Sequence, residues 1–176
     1  MKLEQIIGKN LSEEQKEAAR AALDRRKEGF EQPLEGEYTK DEFDLRFIDT
    51  INWYIKKRFE ELKIDRPSSS LTPRQFHLLS AESFAEHFPH RAARGANGFY
   101  DPRGDSVIIN KDTPSRAGDR RDPRLRLYMT MMHEAIHAVS VRKFSVNEKR
   151  LRKTKIGYQI GKPYDDRQLL VGLNEV

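Results

Sequence analysis

The 176-residue sequence predicts an α+β fold: a helical N-terminal arm over residues 1–65, then a core over 66–176 in which a small mixed sheet packs on one long helix. Three observations carry this expectation. Apolar residues recur at helical spacing through much of the first sixty positions. Short β-rich runs separated by turn signals fill positions 75–110. A single long helical pattern then runs from Asp122 to about Lys143 and contains His133-Glu134-Ala135-Ile136-His137.

Taken in order, Ser12-Glu13-Glu14-Gln15 has the form of a capping box and opens a helix to about Lys27. Glu13 and Glu14 at its start and Arg25, Arg26 and Lys27 at its end complement the helix dipole. Gln32-Pro33-Leu34-Glu35-Gly36 breaks the pattern. Thr39-Lys40-Asp41-Glu42 reads as a second capping box. Phe43, Phe47, Ile51, Ile55, Phe59 and Leu62 then give a long scaffold helix, with Trp53 and Tyr54 broadening its apolar face. Arg66-Pro67-Ser68-Ser69-Ser70 reads as the linker between arm and core.

In the core, Gln75 to Leu79 is expected as a strand, and Ser80 as the cap of a brief helix ended by Pro89. Gly98-Phe99-Tyr100 and Ser106-Val107-Ile108-Ile109-Asn110 are expected as a hairpin. Asp101-Pro102-Arg103-Gly104 between them suits a type I turn. Lys111 to Arg121 is a polar loop. Asp122 at N-cap and Pro123 at N1 then start the motif helix, whose apolar face is read as Leu125, Tyr128, Met132, Ile136 and Val139. Arg152 to Gly161 reads as a strand or hairpin.

Composition narrows the function classes. The absence of cysteine excludes disulfides and thiolate-bound zinc, so a metal site must use histidine and carboxylate. No apolar run approaches a membrane span and Met1 to Asn10 lacks the apolar stretch of a signal peptide, so the expected location is cytoplasmic. The net charge of +5 is uneven: residues 1–100 carry 17 basic and 18 acidic side chains, residues 101–176 carry 16 and 10. The basic clusters Arg116–Arg126 and Arg142–Lys155 flank the motif and read as a solvated face. No nucleic-acid motif accompanies them, and nucleic acid is not the expected partner.

The motif carries the chemistry. His133 and His137, four residues apart, share one helix face, so two imidazole nitrogens can reach one Zn²⁺. Glu134 beside them can act as general base toward water acidified by the metal. His77, His87 and His90 are scattered upstream and read as surface or capping residues. With no histidine after His137, a third downstream ligand must be a carboxylate, with Glu148, Asp165, Asp166 and Glu175 as the candidates.

Glu175 stands in Leu173-Asn174-Glu175, 38 residues beyond His137. His133-Glu134-x-x-His137 followed by that Asn-Glu pair resembles the gluzincin class of zinc metallopeptidases, over roughly residues 75–176. The resemblance implies a zincin-like core with a zinc held by His133, His137 and Glu175, Glu134 as general base, and Asn174 in support. Members of the class continue past the Asn-Glu pair whereas this sequence stops at Val176, so a truncated chain is expected. The implied activity is hydrolysis of a peptide or protein substrate. Ser106, Val107, Ile108, Ile109 and Asn110 are the candidate edge strand on which a peptide could lie, and Tyr158 or Tyr164 the candidate oxyanion donor. The alternatives are a non-catalytic binding or regulatory module on the same scaffold, and a basic nucleic-acid-associated protein. Oligomeric state is not legible.

Overall fold

The computed structural model describes residues 4–7, 11–62, 70–112, 122–140, 142–147 and 150–156. Among these it is a mixed α+β structure of five helices and two three-stranded sheets. Strand β1 (Glu4–Ile7) precedes α1 (Glu13–Glu28) and α2 (Glu42–Glu61). A 3-10 turn at Pro73–Gln75 leads into β2 (Phe76–Leu79), α3 (Ala81–His87) and α4 (Pro89–Ala92). The hairpin β3 (Gly98–Asp101) and β4 (Ser106–Asn110) comes next. The motif helix α5 (Pro123–Ala138) is followed by β5 (Arg142–Asn147) and β6 (Arg150–Ile156).

Local chemistry sets the helix starts. The Ser12 box forms with Gln15 as expected. At α2 the capping residue is Asp41 rather than Thr39: its carboxylate accepts from the Asp44 N–H at 2.9 Å, and the Asp44 carboxylate accepts from the Asp41 N–H at 3.1 Å. Two residues with a β-carboxylate thus exchange the bonds that a Ser/Glu pair usually makes. Asp44 is itself buried and accepts from Lys111 Nζ at 3.0 Å, which ties α2 to the end of β4.

The central sheet has the order β2-β4-β3, with β2 parallel and β3 antiparallel to β4. Alternation sends Phe76, Leu78, Tyr100, Val107 and Ile109 to one face, where they share a core with α2 and α5. Leu79, Ile108 and Phe99 pack on the other face with Phe30, Phe84 and Phe88. A sheet covered on both sides explains the unbroken burial of β2 and of Ser106 to Ile109. The second sheet joins the chain's ends: β1 is parallel to β5 and β6 antiparallel to β5. No strand is expected from Glu4-Gln5-Ile6-Ile7, which is too short to show a period; its pairing with β5 lies 138 positions away in register.

Four further expectations need correction. Ser106–Asn110 is the central strand of its sheet and not an edge, because β2 adds in parallel on the side away from β3. The α2 stripe runs through Ile48, Ile51, Ile55 and Phe59, leaving Phe43 and Trp53 58% and 60% exposed. The buried stripe of α5 runs through Leu127, Met131, Glu134, Ala135 and Ala138, and Leu125 is half exposed. Small Ala135 and Ala138 allow α5 to lie close on the sheet, which a face of Tyr128, Met132 and Ile136 would not. Finally, α5 stops at Ala138, short of Lys143, and β5 begins at Arg142.

Candidate metal centre

Helix α5 is anchored at its start and presents its motif nearly three turns later. The Asp122 carboxylate accepts from the N–H groups of Arg124 at 2.7 Å and Leu125 at 3.3 Å, and Pro123 occupies N1. Gly98 on β3 allows the close approach of the helix. A Cβ there would meet Ile109 Cδ1 at 2.7 Å, the Ile108 carbonyl at 2.9 Å and Thr130 Cγ2 at 3.0 Å. Thr130 lies one turn before Glu134, so the glycine lets this segment of α5 seat against the outer strand β3.

The two motif histidines converge. Their rings stand 4.8 Å apart at 86°, and the two Nε2 atoms are 3.3 Å from one another. Two nitrogens bound at about 2.0–2.1 Å to one tetrahedral zinc lie about 3.3–3.4 Å apart. The pair therefore has the spacing that a shared ion requires, although an N–H···N bond between the rings has a similar length. The His133 side chain is 47% exposed while the helix's other side is packed.

Glu134 sits on the buried stripe between them. Its Oε2 accepts the backbone N–H of Tyr100 at 2.8 Å, and its Oε1 is 3.9 Å from His133 Nε2. Burial raises its carboxyl above the ordinary value, opposed in part by His133, by the Tyr100 N–H and by the Arg91 guanidinium. One oxygen is thus held by β3 and the other lies on the side of His133. The carboxyl is pre-aimed and easier to protonate than a solvated glutamate, as a proton acceptor and donor near neutrality needs.

Two donors do not complete a zinc site, and no group of three or more ligating side chains occurs among the described residues. Glu175 and Asn174 lie outside the described residues, as do Glu148, Asp165, Asp166, Tyr158 and Tyr164. The two imidazole nitrogens that are described are of the donor type that zinc takes, at a spacing one ion could bridge.

His77 departs from its expected surface position. It is buried in β2, its ring edge-to-face with Phe30 at 5.4 Å, and its Nδ1 lies 2.7 Å from Glu37 Oε2. His87 is exposed, its Nε2 3.1 Å from the Glu35 carbonyl oxygen, and His90 is exposed on α4.

No family model, curated protein or solved structure matches this chain. The site therefore rests on its own residues. Sequence reasoning finds His133, Glu134 and His137 because the motif is local. It misses the Tyr100 N–H, which holds Glu134 from a strand 34 residues away and carries no pattern of its own. It also misses a cavity of about 330 Å³ on the far face of β3, walled by Phe88 and Phe99 and edged by Arg26, Arg91 and Arg103.

Proposed function

We propose that the chain is a zinc-dependent peptidase of the gluzincin type, with His133 and His137 as two metal ligands and Glu134 as the general base. The observation that carries this reading is the 3.3 Å separation of the two Nε2 atoms beside a buried, strand-held carboxyl. A zinc bound there would supply Lewis acidity toward a peptide carbonyl and acidify a water. Glu134 would accept the proton of the attacking water at Oε1, the oxygen left free of Tyr100, and pass it to the departing amine. Burial raising its proton affinity supports both transfers. Glu175 is assigned as third ligand and Tyr158 as oxyanion donor from the sequence pattern alone. We lay the peptide along β3, the outer strand of its sheet among the described residues, with the Tyr100 N–H kept for Glu134 and the strand's other outward backbone groups left for the peptide.

Zinc content and cleavage test the assignment together. Protein purified without chelator should hold about one zinc per chain, lost in His137→Ala. Glu134→Gln should retain the metal and lose cleavage of a peptide library by at least about 100-fold, the range of a general base. A wild-type chain with neither zinc nor cleavage, or a Glu134→Gln variant that cleaves normally, would remove the peptidase reading. Zinc retained without cleavage in the wild type would favour a binding or structural role.

A further inference from the structure

Phe99 and Tyr100 are consecutive on β3, so their side chains leave opposite faces of the sheet. Tyr100 goes to the α5 side, where its backbone N–H meets Glu134. Phe99 goes to the other side and forms a wall of the 330 Å³ cavity. The cavity and the candidate centre are therefore one residue apart along the same outer strand.

The charge in the cavity is unbalanced. Among the described residues that line it Asp101 is the one carboxylate, and both its oxygens are engaged: Oδ2 by Arg26 at 3.1 Å and Oδ1 by the backbone N–H of Arg103 at 3.0 Å. The Arg91 guanidinium lies over the Phe99 ring at 4.7 Å. Among the described residues neither Arg91 nor Arg103 has a carboxylate within ion-pair distance. His87 and His90 also line the space and add no negative charge. Two guanidinium groups face a space large enough for one side chain, and their planar forks match a carboxylate.

We propose that this cavity is the subsite for an acidic side chain of a peptide laid along β3, so that the substrates are extended peptides carrying Asp or Glu at one defined position. A strand added to β3 would send alternate side chains to the Phe99 face, and one of them would meet Arg91 and Arg103. The inference rests on the peptidase reading for the identity of the ligand as a peptide. The carboxylate preference itself can be measured without turnover.

The test is fluorescence anisotropy with labelled octapeptides of Ala and Thr, in which a single Glu, or Gln as its neutral isostere, is walked through the positions. The protein is the full chain carrying Glu134→Gln, which prevents cleavage and removes any effect of Arg91 on that carboxyl. At one position the Glu peptide should bind about tenfold more tightly than its Gln twin, as expected for charge-assisted bonds. Arg91→Gln with Arg103→Gln should erase the difference. Arg103→Glu should turn the preference toward a Lys peptide, a gain that misfolding cannot produce. Equal binding of Glu and Gln peptides at every position, or no binding of either, would overturn the subsite. Cleavage without an acidic preference would leave the peptidase standing and the subsite fallen. Preference without zinc or cleavage would do the reverse.

Discussion

Glu37 shows how a single buried carboxylate can hold together parts of the chain that share no sequence pattern. Its side chain is 5% exposed and meets His77 Nδ1 at 2.7 Å, Lys40 Nζ at 2.7 Å and the Leu34 N–H at 3.0 Å. Burial alone would raise its pKa, but His77, Lys40 and the Leu34 N–H outweigh it and hold the carboxyl below the ordinary 4.5. A folded-state pKa below the unfolded value stabilises the fold above the unfolded value, and that stability is lost as pH falls through the folded one. Glu37→Gln should therefore cost about 1–3 kcal/mol at pH 7, through unpaired buried partners. The gap to wild type in thermal unfolding should shrink as the pH falls below 4.5. A gap that stays constant between pH 7 and pH 3 would show that the carboxylate's charge is not what matters. His77 was legible only as a histidine; its burial follows from β2 lying inside a two-sided sheet, and no local signal announces that. The three motif residues were legible because one helical turn contains them all.

At the scale of elements, the contact between α5 and β3 matters most to the candidate centre, because β3 holds Glu134 through Tyr100. Gly98 is the point of closest approach. In Gly98→Ala the new methyl would lie 2.9 Å from the Ile108 carbonyl, which is backbone within the same sheet and cannot rotate aside, and 3.0 Å from Thr130. The variant should lose about 1–3 kcal/mol, the usual cost of overpacking. It should also lower cleavage by more than it lowers zinc content, since the histidines sit on α5 and the Tyr100 contact does not. Equal losses of zinc and cleavage would instead indicate general unfolding. The hairpin itself was legible from alternation and the Pro-Gly turn, and α5 from its cap. Which strand is outermost was not. That depends on β2 pairing in parallel with β4 across the 26 residues between Leu79 and Ser106, a choice made by packing on both faces of the sheet. The face of α5 was misread for a related reason: two apolar stripes exist on that helix, and the alanines decide between them only once a partner surface is present.

For the molecule as a whole, α2 of the N-terminal arm shares one buried core with the central sheet and α5. Ile48, Ile51, Ile55 and Phe59 of α2 lie in one buried cluster with Phe76, Leu78, Val107 and Ile109 of the sheet and Met131 and Ala135 of α5. Asn52 reinforces the join, donating to the Leu71 carbonyl at 2.8 Å and accepting the Leu71 N–H at 2.9 Å. The Pro-Ser stretch suggested a boundary because composition reports where the chain changes character, and core membership is decided by contacts on either side of it. Full burial of four such side chains is worth about 6–12 kcal/mol, at about 1.5–3 kcal/mol each. The total stability of a domain is about 5–15 kcal/mol. A chain beginning at Ser70 should therefore show no cooperative thermal transition and no bound zinc. Adding residues 41–62 as a separate peptide should restore at most a fraction of both, because association must then be supplied by concentration. If residues 70–176 alone melted cooperatively with the wild-type midpoint, α2 would be an appendage after all, and the shared core would contribute little to the site beneath it.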